Sequence, residues 1–333
     1  MRKALLFPLL LLCIWFPVQA LDDGSCPESL PPRLTVGEVG RVTPGDANNV
    51  RAAAAGSAEL TGQIPGGSVF HVLDGPECAG GFTWWQVRYG ELEGWTVEGS
   101  DAYWLEPLTG MEIYEDEYIR FAYFADGMGE ISREFYEAYL DDDQMGGPRP
   151  EQRFYTIEEW PTEMDWKVGQ IAFAPISQIT EEMWRYVPVI EILQEVLSDE
   201  AASPLRFPSL ASNAMRAGVA KSGLVDFANG RGLVFATMYQ QDIFPFIPDE
   251  YDFYGLTNGG NYLVWASFNV DTAETSVPFD RQDYIDVTQE TQERYGEYSQ
   301  AVAAELADRP DEEFTPNLAN LRLMIETIEI LGW

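Results

Sequence analysis

From Leu34 the chain alternates short apolar runs with glycine, proline and polar breaks: LTVGEVGRV, NNVRAA, ELTGQIP, SVFHVLDG, TWWQVRYG, EGWTVEG and YWLEPL. Within the runs the side chains alternate with a period of two. Val69, His71 and Leu73 share one face and Phe70 and Val72 the other. In the next run Trp85, Val87 and Tyr89 stand opposite Trp84, Gln86 and Arg88. Short runs at even spacing with turn residues between them predict strands of a small all-β barrel or sandwich, with no helix. The densest run is Phe82–Gly99, which carries Trp84, Trp85 and Trp95.

The texture changes after Pro107–Gly110 and the acidic run Glu112–Glu117, which together predict a domain boundary. Beyond it, Tyr118–Phe124, Arg153–Glu159 and Val168–Ala174 read as strands, and Ile131–Leu140 as a short helix. Thr180 is placed to cap a helix through Trp184, Val187, Ile190 and Leu193, with Pro188 kinking it. Val219–Ala228 and Leu233–Gln240 flank Asn229-Gly230, a strong hairpin turn. Tyr251–Leu256 and Tyr262–Val270 flank Thr257-Asn258-Gly259-Gly260, a second hairpin. Two helices close the chain. Tyr284, Val287, Thr291, Tyr295, Tyr298, Val302 and Leu306 recur at helical spacing behind Asp280 as N-cap. Leu318, Leu321, Ile325 and Ile328 follow Thr315 as cap and Pro316 at the first helical position. Hairpins with flanking helices predict an α+β domain with a mostly antiparallel sheet.

Asn49-Val50-Arg51, Ile64-Pro65-Gly66, Trp84-Trp85-Gln86-Val87-Arg88-Tyr89 and Gly94-Trp95-Thr96 resemble, in order and spacing, the strand motifs of bacterial SH3-like (SH3b) domains. The resemblance covers about Arg33–Leu108. It implies a small β barrel in an exported protein, of a kind that targets proteins to cell-wall peptide or glycan. One departure is Ala52-Ala53-Ala54-Ala55-Gly56-Ser57, where the family carries a glycine- and proline-containing loop beside its ligand groove. The segments VDFANGRGLVFATMYQQ and FYGLTNGGNYLVWASFNV resemble strands of an uncharacterised domain that follows SH3-like modules in some secreted bacterial proteins. That second resemblance implies domain order and fold, and no activity. The expected architecture is therefore multi-domain: residues 1–20 a signal peptide, 21–32 a lead-in, 33–108 an SH3-like barrel and 118–333 an α+β domain.

The signal reading rests on Arg2 and Lys3, the apolar stretch Ala4–Val18 and the small-x-small triplet Val18-Gln19-Ala20. The apolar stretch is short for a membrane span, and no second run of similar length follows. Its removal takes two of the 20 basic residues and none of the 55 acidic ones, so the net charge moves from −35 to −37. So acidic a surface repels nucleic acid and anionic lipid and keeps an exported protein soluble. Two of the three cysteines remain, Cys26 and Cys78, and an even pair in an exported chain predicts a disulfide. The expected location is secreted or extracytoplasmic, at the cell envelope.

Candidate chemistry is sparse. The single histidine, His71, lies in a strand run, with no G-x-S-x-G elbow anywhere, so nucleophilic triads and zinc centres lack their parts. Glu115-Asp116-Glu117 and Asp141-Asp142-Asp143 lack the alternation and glycine of a calcium loop. Gly218, Lys221-Ser222 and Gly223 do not make a phosphate loop. No metal or cofactor is expected. The composition leaves one catalytic class, paired carboxylates on a glycosidic bond, with Glu158-Glu159 beside Trp160 as the suggestive pair. The favoured expectation is a non-enzymatic binding or envelope-associated protein anchored by the SH3-like module. Trp84, Tyr103 and Trp104 are its expected ligand contacts, as exposed aromatics suited to peptide or glycan surfaces. A carboxylate-dependent glycan hydrolase and a purely structural surface component are the alternatives.

Overall fold

Seven short strands, none longer than eleven residues, make up the N-terminal part of the chain. They are β1 (Val39–Val42), β2 (Asn48–Arg51), β3 (Leu60–Ile64), β4 (Val69–Ala79), β5 (Phe82–Tyr89), β6 (Leu92–Val97) and β7 (Leu105–Pro107). They form one antiparallel sheet in the order β3-β2-β6-β5-β4-β1-β7. In this computed structural model the described residues are 26–141, 147–162, 168–198, 206–210, 214–284 and 288–332. The expected signal peptide, the first residues of the lead-in, and Asp142 and Asp143 lie outside them.

The alternation read from β4 and β5 has its physical basis in a closed core. Phe70, Val72, Trp85 and Val87 pack with Leu34, Val42, Val50, Ile64 and Leu105, and Tyr89 sits at the edge of the cluster. Glu98, itself buried, accepts the indole N–H of Trp85 at 2.8 Å and the backbone N–H of Arg33 at 2.8 Å. Buried polar groups persist only when partnered in this way. Cys26 and Cys78 form the expected disulfide, tying the lead-in to the far end of β4.

A hairpin follows, β8 (Met111–Glu115) and β9 (Ile119–Phe124). The acidic run read as a boundary thus forms a strand, with Met111, Ile113 and Tyr114 packing into the core while Asp116 closes the turn. The larger sheet contains β10 (Ile131–Tyr136), β11 (Gln152–Ile157), β12 (Gly169–Pro175), β13 (Met215–Phe227), β14 (Gly230–Gln240), β15 (Glu250–Thr257) and β16 (Tyr262–Asn269). Its order is β10-β11-β12-β16-β15-β14-β13, every pair antiparallel. Helices are α1 (Tyr186–Ser198), α2 (Gln289–Asp308) and α3 (Leu318–Glu326). The short strands β17 (Asp271–Thr272) and β18 (Phe314–Thr315) pair with each other, and β19 (Glu329–Ile330) pairs with β9.

The sheet is covered on both faces, which is why its strands read as nearly continuous apolar runs. Along β15, Tyr251 and Phe253 point into a core shared with α2, α3 and the β8–β9 hairpin. Tyr254 points into a second core, with Leu233, Phe235 and Trp265, under α1. The first core also takes in Val39, Val69 and Leu108, so residues of the N-terminal sheet share one core with the larger sheet. Gly67, in the left-handed region at φ +85°, abuts Ala228. A Cβ on Gly67 would stand 2.9 Å from the Ala228 Cα.

Four local expectations are corrected. Ile131–Leu140 is not a helix: Ile131–Tyr136 is edge strand β10, paired residue for residue with β11. Helix α1 begins at Tyr186, after Trp184, so Pro188 falls in its first turn, where the missing N–H has no helical partner to lose and no kink results. Thr288, not Asp280, caps α2, through a reciprocal capping box with Thr291. Asp280 instead accepts from the Gln282 N–H. Thr315 belongs to β18, and Asn317 caps α3 by accepting from the Ala319 N–H at 2.8 Å.

One carboxylate is buried in the middle of the larger sheet. Asp252 is 2% exposed and accepts from the Tyr239 hydroxyl at 3.0 Å. Burial pushes its carboxyl up from 3.8 to about 6, only partly offset by hydrogen bonds from Ser267 and Tyr239 and by the charge of Arg216. Between those values the folded chain binds more protons than the unfolded chain, so this group's contribution to stability falls as pH rises. Relative to the parent, Asp252→Asn should gain stability on the order of 1–3 kcal/mol between pH 4 and pH 7, measured by parallel denaturant titrations. Replacing both Cys26 and Cys78 by serine, which opens a loop with sequence separation 52, should cost about 4 kcal/mol in the same assay.

Candidate functional site

The three aromatic residues expected to contact ligand occupy different environments. Trp84, expected to be exposed, is 2% exposed, and its indole donates to the Ala79 carbonyl at 2.9 Å. Alternation placed it opposite the core, but this face of β5 is covered too. Tyr103 is half-buried; its hydroxyl donates to the Pro31 carbonyl at 2.9 Å and its ring carries the Arg33 guanidinium at 3.4 Å. It braces the lead-in. Trp104 alone remains open, at 39% exposure, while its backbone N–H is fixed on the Glu98 carbonyl at 2.8 Å.

Trp104 forms one wall of a groove of about 450 Å³ whose other sides are Thr43, Asp46, Ala47, Asn48 and Asn49. The groove is held by backbone contacts. Thr43 donates its N–H to the Trp104 carbonyl at 2.9 Å. The turn at Gly45 touches Gly66 so closely that a Cβ on Gly66 would lie 2.3 Å from the Gly45 carbonyl oxygen. Asn48 donates from its amide to the Val97 carbonyl at 2.9 Å, and Asn49 accepts from Gln63 at 3.0 Å. An indole face beside amide and hydroxyl groups offers stacking together with both hydrogen-bond polarities. Sequence reasoning found Trp104 and missed Thr43, Asp46, Asn48 and Asn49. The paired asparagines opening the Asn49-Val50-Arg51 strand were the available signal.

The single histidine carries no nucleophile chemistry here. His71 is half-buried on β4, and burial first, then the nearby charge of Arg88, holds its imidazole below the usual range. Cys78, the nearest candidate nucleophile in sequence, is consumed by the disulfide. Of the acidic run, Glu115 is engaged by Arg120, and Asp116 by the Tyr118 N–H, Arg133 and the Tyr155 hydroxyl.

Glu158 and Glu159 do share a site. With Glu112, Glu130 and Tyr123 they line an open cleft of about 530 Å³. Glu158 accepts from the Ser132 hydroxyl at 2.7 Å, and Glu159 stands in the left-handed region at φ 52°. Trp160, expected to be a sugar platform, turns the other way. Its indole stacks on Phe268 with centroids 5.5 Å apart, donates to the Asn269 carbonyl at 2.7 Å and covers Gly169. The indole is core.

Compared with known proteins, the chain matches no family model and no curated protein sequence. The chemistry must therefore be argued from its own residues. Trp84→Ala should cost roughly 3–5 kcal/mol, since it opens a cavity beneath β5, whereas Trp104→Ala should cost under about 1 kcal/mol. Urea unfolding of the two variants distinguishes a buried brace from an exposed platform.

Proposed function

We propose that the protein is an exported, non-enzymatic binding protein that its SH3-like N-terminal module anchors at the cell envelope through cell-wall peptide or glycan. The observation that carries this reading is the groove beside Trp104, an exposed indole set among amide and hydroxyl groups and the Asp46 carboxylate. Sugars and peptide backbones present apolar faces next to hydrogen-bond donors, which the indole face and the amide and carboxylate oxygens of such a wall can meet. The disulfide supports an oxidising compartment. Among the described residues no helix is long and apolar enough to cross a membrane.

A neutral ligand is also the one this surface admits most readily. The chain's formal charge of −35 opposes anionic polymers at long range. Nucleic acid is disfavoured on the same ground.

The acidic cleft of Glu112, Glu130, Glu158 and Glu159 supports a second reading, a carboxylate-dependent glycan hydrolase. Trp160 faces the core and not this cleft, which leaves Tyr123 as its aromatic wall, and the binding reading takes precedence on the exposed indole of Trp104.

Sedimentation of the whole chain from Leu21 with insoluble cell-wall material should retain the protein. Trp104→Ala should reduce the retained fraction at least about fivefold, matching the loss of one stacking contact worth on the order of 1 kcal/mol. Equal retention of both proteins contradicts the groove, and no retention of either contradicts the anchoring role. Release of soluble sugar fragments by the parent but not by Glu158→Gln would favour the hydrolase instead.

A further inference from the structure

A third cavity lies between the larger sheet and the start of α1. Here β11 contributes Gln152 and Phe154, β16 contributes Trp265, and the entry to α1 contributes Arg185 and Tyr186. Arg149 reaches it from the connection between β10 and β11. The cavity measures about 260 Å³. That is smaller than the roughly 300–1,000 Å³ of ordinary ligand pockets, so an occupant must be small.

Its floor is aromatic and rigid. Phe154 meets Trp265 edge to face at 5.8 Å, and Tyr186 meets the same indole at 6.4 Å. The buried Gln152 amide donates to the Tyr186 hydroxyl, which fixes both side chains. The walls are cationic, in a chain with 20 basic residues against 55 acidic ones. Several of these scarce guanidiniums meet carboxylates, as in Arg41 with Glu106, Arg120 with Glu115, and Arg133 with Asp116, while Arg216 meets the Phe207 and Pro208 carbonyls. Arg149 differs. Its guanidinium flanks the rings of Tyr136 and Tyr139 at 5.7 and 5.6 Å, and its Nε is buried without a hydrogen-bond acceptor among the described residues.

A buried guanidinium N–H without an acceptor costs free energy, and a ligand carboxylate supplies the matching planar pair of oxygens. The first turn of α1 carries no acidic residue, so the field at the helix start also favours an anion. The aromatic floor meanwhile excludes a fully hydrated ion and accepts an apolar ring.

We propose that this cavity binds a small carboxylate with a flat apolar body, its carboxylate on Arg149 and its body on Phe154 and Trp265. The site is independent of the Trp104 groove and stands whether or not the anchoring role holds.

Titration calorimetry of the whole chain with benzoate, benzamide and inorganic phosphate tests it. The expected result is saturable binding of benzoate, with benzamide and phosphate each at least tenfold weaker. Arg149→Gln should weaken benzoate about tenfold or more, and Trp104→Ala should leave it unchanged. The benzoate–benzamide comparison on the parent chain needs no variant, so it decides the matter even if Arg149→Gln does not fold. Absence of saturable benzoate binding overturns the proposal. Benzamide binding as tightly as benzoate overturns the role of the carboxylate, and phosphate binding as tightly overturns the apolar body. A folded Arg149→Gln variant that binds benzoate unchanged overturns the role given to Arg149.

Discussion

One buried guanidinium joins the parts of this molecule. Arg120, 4% exposed, makes paired hydrogen bonds to Glu115 at 2.9 and 2.7 Å and a third to Glu329 at 2.9 Å. The Tyr89 ring lies 4.1 Å beneath it, and the Tyr89 hydroxyl closes the circuit on the other oxygen of Glu329 at 2.5 Å. Four distant stretches meet there: β5 of the N-terminal sheet, both strands of the β8–β9 hairpin, and β19. Burial raises the Tyr89 hydroxyl to about 12, with the Glu329 charge adding to it, so the phenol stays a donor. Burial alone would lower the Arg120 guanidinium, yet the Glu115 hydrogen bonds and the Glu329 charge hold it above its usual value. Replacing such a network with apolar groups can be neutral, but removing one member leaves uncompensated charge and costs roughly 3–5 kcal/mol.

Neighbouring contacts follow the same line. Arg41 reaches from β1 to Glu106 at 2.7 Å and to Glu326 of α3 at 3.1 Å. Asn229, the second of the two residues in the β13–β14 turn, donates to the Ile330 carbonyl at 2.7 Å and accepts from the Ile330 N–H at 3.2 Å. A turn signal in the sequence therefore has a tertiary role as well, pairing with β19 as a strand would. With 55 acidic residues to place, the fold confines several of them around a few arginines and turns that pairing into the joint between its halves.

Much of this architecture was legible where period and turn chemistry agree. The β13–β14 hairpin, the paired strands of the larger sheet, and the core positions Trp85 and Val87 follow from alternation and turn residues, although the turn is Ala228-Asn229, one residue before the expected Asn229-Gly230, and Gly230 opens β14. What alternation cannot tell is whether the second face is also covered. That is why Trp84 and Trp160 read as surface aromatics and proved to be packed. Ile131–Leu140 was misread because an exposed edge strand has no apolar face to reveal its period. Helix starts were misplaced by a few residues because Asp280, Thr288, Thr315 and Asn317 can each cap, and tertiary packing selects among them. The Trp104 groove was half visible, through its tryptophan. The Arg149 cavity was invisible, since its members are scattered over four elements and none belongs to a motif.

Through the Arg120 network the N-terminal sheet and the larger sheet are expected to unfold as one cooperative unit. Differential scanning calorimetry of the chain from Leu21 tests it most directly, beside Arg120→Met. The account predicts a single transition for the parent, with calorimetric and van't Hoff enthalpies equal, and its separation into two transitions in Arg120→Met. Two resolved transitions in the parent, unaltered in spacing by the substitution, would contradict it.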